Sequence, residues 1–374
     1  ARTVSLRAQE ALEGPVDVVP LAPMQDRNRR MLGKGSVGVA AVLLVLLPLV
    51  LTNPTITGIG VWALLFMACA TAWGGFAGLS GYVSLGYAAF YGTGAYAMAL
   101  VVNAIGWRGG YSIFVLVPIA GIVAMAVAIP YGIIALRTRR HQFVILTVAL
   151  FFVFQLIALN VSWLGGSFGL YLPSAPWPGA TYNDRFYYAG LILVALTTAL
   201  YWWIRRTRFG LQLCAIRDDE DRALSLGVNT GRVKLSAFVI SAAPIGMAGA
   251  LYAYFVGQIL PPFAFNPIFD ASVAVMCITG GIGTLAGPLI GAAVLESLQQ
   301  YLTLQFSTTA LYLVLYGAVF VLVILFTPEG LYPLVARRFF GPRPKAGVPP
   351  MIQSLTAAAR RTALARPRAK AERQ

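Results

Sequence analysis

The densest group of charged side chains in this sequence lies in one internal segment, residues 205–234. Positions 217–222 are all charged, and four of those six residues are acids. Ala223 and Leu226 follow at helical spacing, and Gly227 stands where a glycine commonly ends a helix. The pattern predicts a short amphipathic helix that could dock against another protein, or else a solvated linker with a salt-bridged face.

Groups that commonly perform catalysis or bind metals are scarce elsewhere in the chain. The single histidine is His141, and the three cysteines show no metal-binding or redox spacing. The sequence around Gly33 lacks the upstream glycine of a phosphate-binding loop, because position 28 is asparagine. We therefore predict no enzyme, no metal and no cofactor, and we expect any ATP to be bound and hydrolysed by a partner subunit.

The long apolar runs on either side of segment 205–234 are predicted to be membrane-spanning helices. Hydrophobic residues make up 58% of the chain and charged residues 11%, with a mean hydropathy of +0.74. The apolar runs do not alternate as barrel strands would, and they are long enough to cross a bilayer as helices. The predicted fold class is an all-α, polytopic transmembrane bundle of about ten spans: 36–52, 58–78, 83–103, 112–136, 142–164, 186–204, 233–257, 268–285, 287–306 and 309–327.

The distribution of positive charge predicts the orientation of this bundle. Of the 28 Lys and Arg residues, all except Arg108 and Arg185 fall in segments that share one side of the membrane. Positive residues concentrate on the cytoplasmic side, so both chain ends are predicted to lie inside. The same placement argues against a nucleic-acid surface, which would gather these residues on one soluble face.

Three regions follow from this arrangement. Residues 1–35 form a polar cytoplasmic arm, 36–332 the transmembrane domain with its cytoplasmic loop 205–234, and 333–374 a basic tail predicted to be disordered.

A glycine-rich stretch, 78–96 with the sequence GLSGYVSLGYAAFYGTGAY, covers the start of the third predicted span. Its glycines permit close helix packing or a departure from helix beside a cavity, so either tight packing or a transport pathway would explain it. Under the pathway interpretation, the lining residues would be Ser84, Tyr87, Phe90, Tyr91, Gly92 and Gly94. Glycines at 280, 281, 283 and 287 likewise predict a broken or re-entrant pair of helices in the eighth and ninth spans.

Two acids fall within apolar runs. Asp270 lies near one end of the eighth predicted span, and Glu296 lies in the ninth. Because charge in lipid is costly, such acids invite a functional interpretation, but their closeness to the span ends favours snorkelling or placement at the boundary of the bilayer.

Several motifs occur together in a known order. The sequence AIRDDEDRALSLG at 215–227 is similar to the coupling-loop motif of ABC importer permeases, except that Arg222 replaces an alanine. The stretch 78–96, LRTR at 136–139, GGIGTLAGP at 280–288 and PEGL at 328–331 resemble further signatures of the same proteins. As a set, they resemble permease subunits of high-affinity branched-chain amino acid ABC importers, a family close to urea and short-amide permeases.

This resemblance implies that 205–234 docks on an ATP-binding subunit, and we call it the coupling segment. Ala223 and Leu226 would face a groove of that subunit, Gly227 would end the helix, and Arg217, Asp219 and Glu220 would set register. The resemblance also implies three partners: ATP-binding subunits, a second homologous permease and an extracytoplasmic substrate-binding protein. The membrane would be the bacterial inner membrane.

The leading functional hypothesis is therefore a permease that translocates branched-chain amino acids. A urea or short-amide permease remains an alternative, because it would share these motifs. An ion-coupled secondary transporter, the alternative of a different class, would need acids or histidines at mid-membrane. Asp270, Glu296 and His141 fit that requirement poorly.

Overall fold

The computed structural model describes residues 53–106, 109–173 and 176–306, together with positions 45, 46, 48, 317, 318 and 331. The chain divides into two compact units, Ala1–Leu51 and Thr52–Gln374, and the following account concerns the second. The predicted spans 36–52 and 309–327 lie outside the described residues except for five of those isolated positions. The limits of the predicted arm and tail also lie outside them, so these remain predictions.

Helices dominate the described residues, as predicted. They are α1 Pro54–Ser80, α2 Ala88–Ile105, α3 Val117–Ala135, α4 Arg140–Asn160, α5 Gly179–Ile204, α6 Arg208–Asp218, α7 Glu220–Ser225, α8 Thr230–Val256, α9 Pro261–Ala264, α10 Pro267–Gly281 and α11 Ala286–Gln305. Short 3₁₀ turns occupy Tyr111–Leu116, Ser162–Leu164 and Gly166–Phe168. Strands β1 (Leu170–Tyr171) and β2 (Gln258–Ile259) pair antiparallel, with Leu170 opposite Ile259.

Seven helical stretches in this part of the chain are long and apolar enough to cross a membrane. They are Pro54–Ser80, Ala88–Ile105, Tyr111–Ala135, His141–Asn160, Thr181–Ile204, Thr230–Val256 and Pro261–Gly281. The second to eighth predicted spans each overlap one of them. The ninth coincides with α11, which is helical but is not among the seven. The total of ten spans and the inward orientation of both ends remain predictions.

Helix α8 occupies the centre of this unit, where it packs against α2, α3 and α1. Small residues make the close approach of α2 and α8 possible. A Cβ at Gly94 would lie 2.0 Å from the carbonyl oxygen of Gly246, and one at Gly249 would lie 2.0 Å from that of Tyr91. Only glycine allows the two backbones to meet at this distance, as in other membrane bundles.

A break separates α1 from α2. Gly81 ends α1 in the left-handed region, with φ at +73°, and helix resumes only at Ala88. The predicted span 83–103 was therefore wrong at its beginning, because 81–87 is not helical. Interior side chains satisfy this backbone: Trp73 Nε1 donates to the carbonyl of Ser84 at 2.8 Å, and Thr147 Oγ1 accepts the Leu85 N–H at 3.2 Å.

The predicted interruption near residue 281 is confirmed. Helix α10 ends at Gly281, with φ at +116°, and α11 begins at Ala286. Thr284 joins the two ends, because its hydroxyl donates to the Gly281 carbonyl and accepts the Gly287 N–H, both at 2.9 Å. The helices then pack closely, and a Cβ at Gly291 would lie 1.9 Å from the Met276 carbonyl oxygen.

Candidate coupling site

The coupling segment contains two short helices, where the sequence predicted one. Thr207 caps α6, its hydroxyl accepting the Gly210 N–H at 3.4 Å. Asp219 then leaves the helical conformation, with φ at −159°, and caps α7 by accepting the N–H groups of Asp221 and Arg222, each at 3.1 Å. Aspartate is a preferred N-cap, so the run of acids carried a signal for a helix start that the single-helix prediction missed.

The predicted helix end at Gly227 is confirmed. Its φ is +86°, its N–H donates to the Leu224 carbonyl at 2.9 Å, and the N–H of Val228 donates to the Ala223 carbonyl at 3.0 Å. These two bonds form the Schellman arrangement that satisfies the last carbonyls of a helix. They fix the direction in which the chain leaves α7 towards α8.

Glu220 bonds within its own subunit, and its role in setting register on a partner remains a prediction. One carboxylate oxygen accepts the Lys234 ammonium at 2.5 Å, and the other accepts the Tyr82 hydroxyl. Lys234 also donates to the Tyr82 hydroxyl at 3.1 Å, and its ammonium lies 4.5 Å from the centre of the Tyr82 ring. We call these three residues the buried triad. Tyr82 and Lys234 were missed as site residues, since they contact Glu220 only in the folded chain.

The electrostatics of the triad favour an ionised Glu220. Its side chain is 24% exposed and that of Lys234 only 5%. Partial burial would raise the pKa of Glu220, but the hydrogen bonds from Lys234 and Tyr82 outweigh it. The pKa of the carboxyl therefore lies below its ordinary value. Lys234, for its part, is a buried cation that requires this partner.

Two arginines attach the segment to the helix breaks. Arg217 donates from Nη1 to the Gly78 carbonyl at 3.0 Å, near the end of α1. Arg205 donates from Nη2 to the Gly283 carbonyl at 2.6 Å, between α10 and α11. Arg217, predicted to set register on a partner, thus bonds to its own membrane helix, although its side chain is 44% exposed.

The predicted residues Ala223 and Leu226, at the end of α7, differ in their exposure. Leu226 is 84% exposed and Leu224 is also exposed, whereas Ala223 is 2% exposed. The prediction that Ala223 faces a partner was therefore wrong, because α7 turns this residue against its own chain. A groove of about 480 Å³ beside Leu226 is lined by Asp219, Asp221, Arg222 and Ser225.

The six predicted pathway residues all lie inside this subunit and are buried. The Tyr87 hydroxyl is 2.6 Å from that of Ser241 on α8, and the Tyr91 and Phe269 rings are 4.5 Å apart. Phe90 packs against Tyr131 and Phe238, Gly92 lies against Phe265, and Gly94 lies against Gly246. The buried Ser84 hydroxyl has no hydrogen-bond partner among the residues that the structure describes. The packing interpretation accounts for these contacts, and the pathway role remains a prediction.

Both acids in apolar runs are buried within the protein, and their placement at the boundary of the bilayer remains a prediction. Asp270 is 2% exposed, and both its oxygens accept the Ala88 N–H, at 3.1 and 3.2 Å. Its carboxylate thus caps α2, which has no cap from its preceding residue Tyr87. Glu296 is 1% exposed and accepts an amide N–H of Gln300 at 2.8 Å. Among the described residues, no cluster of three or more His, Cys, Asp or Glu could hold a metal.

The family comparison covers the same residues that build this site. The model for permease components of branched-chain amino acid transport systems matches residues 55–324. The chain belongs to this permease family. Its helices and the permease relatives together identify a multi-pass membrane protein, and the resemblance read from the motifs is confirmed. No solved structure matches the permease.

Among curated proteins, the permease is 30% identical to the high-affinity branched-chain amino acid transport system permease protein LivM of Escherichia coli K12 over 284 residues. This match covers 69% of the chain and 65% of LivM, so slightly less than two thirds of that relative is represented. LivH of Salmonella typhimurium LT2 is 28% identical over 269 residues, or 68% of the chain and 86% of LivH. The xylose transport system permease protein XylH of E. coli K12 is 27% identical over 138 residues, 36% of the chain and 35% of XylH.

Proposed function

We propose that this chain is a transmembrane subunit of an ATP-binding-cassette importer and translocates branched-chain amino acids. The observation that supports this most is the coupling segment, which presents Leu224 and Leu226 outward while Arg205, Arg217 and Glu220 attach it to the membrane helices. An exposed apolar helix end beside a groove is a suitable contact for a partner. The family and the LivM and LivH relatives support the substrate class.

In this proposal the coupling segment lies in the cytoplasm, and both chain ends lie on the same side of a bacterial inner membrane. ATP-binding subunits hydrolyse ATP and move α6 and α7. A second, homologous permease completes the path, and an extracytoplasmic binding protein delivers the substrate. The α2 residues Tyr87, Phe90 and Tyr91 then belong to the path or to the packing that opens and closes it.

Reconstitution in liposomes tests this proposal. The chain, its ATP-binding subunits and its companion permease would be inserted together, with the loaded binding protein outside and ATP inside, and uptake of labelled leucine, isoleucine and valine would be measured. We expect uptake that requires both ATP and the binding protein.

Two further conditions separate the alternatives. Uptake driven by an ion gradient in liposomes that lack the ATP-binding subunits would overturn the proposal in favour of a secondary transporter. ATP-dependent uptake of urea, with none of the three amino acids, would keep the transporter class and overturn the substrate.

A further inference from the structure

The buried triad joins three elements that are far apart in the sequence. Tyr82 belongs to the non-helical break 81–87, Glu220 begins α7, and Lys234 lies in the second turn of α8. The Lys234–Glu220 ion pair, the hydrogen bond that the Tyr82 hydroxyl donates to Glu220, the one that it accepts from Lys234, and the cation–π contact connect each member to both others. A displacement of α7 therefore acts directly on the break and on the start of α8.

The break is also held at its other end, within the bundle. Asp270 of α10 caps the backbone N–H of Ala88, and the Tyr87 hydroxyl lies 2.6 Å from that of Ser241 on α8. The seven residues 81–87 thus extend from the coupling segment to the interior side chains of α8 and α10. Non-helical backbone between two packed helices is a natural place for a conformational change, because it is not bound by a continuous helical ladder.

Burial distinguishes this ion pair from the others on the segment. Lys234 is nearly inaccessible, so separation from Glu220 would leave an unpaired ammonium in the protein interior, which is strongly unfavourable. The pairs Asp219–Arg222 and Asp221–Arg139 are largely exposed, and such pairs contribute little. Among the ion pairs that the described part of the chain shows on this segment, the Glu220–Lys234 pair is the buried one, and with Tyr82 it joins α7 to the break.

From this geometry we infer that the buried triad is the mechanical link between the coupling segment and the α1–α2 break. Tyr82 and Lys234 are positioning residues that act through Glu220: they make movement of α7 reposition 81–87 and the start of α2. This role rests on the proposed function, since it requires an ATP-binding subunit that moves α7.

Transport per ATP is the quantity that tests this role. In the reconstituted complex, Glu220→Gln and Tyr82→Phe should lower leucine taken up per ATP hydrolysed at least threefold, while ATP-binding subunits still co-purify. Tyr82→Phe is the milder change, because it keeps the ring and the Lys234–Glu220 pair and removes only the hydroxyl. Asp218→Asn is the matched control: it makes the same acid-to-amide change two residues away, on a side chain that is 73% exposed and lies outside the residues that line the groove beside Leu226, and it should leave the ratio unchanged.

Exchanging the charges of Glu220 and Lys234 shows whether their ion pair transmits movement or whether each residue is needed only for folding. Glu220→Lys and Lys234→Glu should each uncouple transport from hydrolysis, and the double variant should recover part of the lost ratio by restoring an ion pair. Tyr82→Phe and Glu220→Gln combined should lose less than the sum of their separate effects, because both break the same connection.

Two results would overturn the inference. The first is a wild-type ratio of transport to hydrolysis in both Tyr82→Phe and Glu220→Gln; the second is an equal loss in Asp218→Asn. These results differ from a failure of the proposed function, in which the wild-type complex itself would show no ATP-dependent leucine uptake.

Discussion

The Asp270 carboxylate accepts the backbone N–H of Ala88 with both oxygens, at 3.1 and 3.2 Å, although the two residues are 182 positions apart. A side chain of α10 thereby supplies the N-terminal cap that α2 lacks in its own sequence. The contact fixes where α2 begins, because it satisfies one of the backbone N–H groups left free at the start of the helix.

Removal of this cap should destabilise the bundle. Asp270→Ala leaves the buried Ala88 N–H without a partner, which costs about 1–3 kcal/mol. Asp270→Asn retains one acceptor oxygen and should lose less. Thermal unfolding of the purified protein in detergent would measure both variants, with the exposed Asp218→Ala as control. An Asp270→Ala melting temperature equal to that of the control would contradict the capping role.

The contact between α2 and α8 should tolerate no side chain at Gly94. A Cβ there would lie 2.0 Å from the Gly246 carbonyl oxygen, so Gly94→Ala forces the helices apart at a cost of about 1–3 kcal/mol. Gly179→Ala is the control, since its Cβ would meet nothing within 4 Å. The yield of monodisperse protein and its melting temperature should fall for Gly94→Ala alone, and equal values for both variants would argue against close packing.

The exposed end of α7 should be required for assembly but not for folding. Leu226→Asp places a charge on a side chain that is 84% exposed, so stability should change by less than about 0.5 kcal/mol. Binding of the ATP-binding subunits should fall at least tenfold in a pull-down from co-expressing membranes. Phe168→Asp, at an equally exposed position outside the segment, is the control. Retention of those subunits by Leu226→Asp at the wild-type level would remove this surface from the proposed interface.

The pH dependence of stability should reveal the Glu220–Lys234 pair. Because the folded-state pKa of Glu220 lies below its ordinary value of 4.5, its contribution is fully present above that value and is lost as the pH falls through the folded pKa. The difference in melting temperature between wild type and Glu220→Gln should stay constant from pH 8 to 5 and shrink below 4.5. A difference that already disappears near pH 6 would show that the carboxylate is not held in its ionised form.

Local sequence determined much of this architecture. Apolar runs longer than a bilayer core require helices, since lipid offers no partners for backbone groups, and the described helices follow those runs. Gly227 and the glycines near 281 likewise predicted helix ends from the local sequence, because the left-handed conformation found there excludes most side chains. The motif order, finally, sufficed to assign the permease family.

Tertiary structure alone decided how the charged residues are used. In the sequence, Glu220 is one of four consecutive acids, and only the fold brings it next to Tyr82 and Lys234. Asp270 likewise stood near the end of an apolar run in the sequence, and only the fold places it against the start of α2. The physical reason is that hydropathy and the glycines that end helices act over a few residues, whereas the partner that stabilises a buried polar or charged group comes from a distant part of the chain.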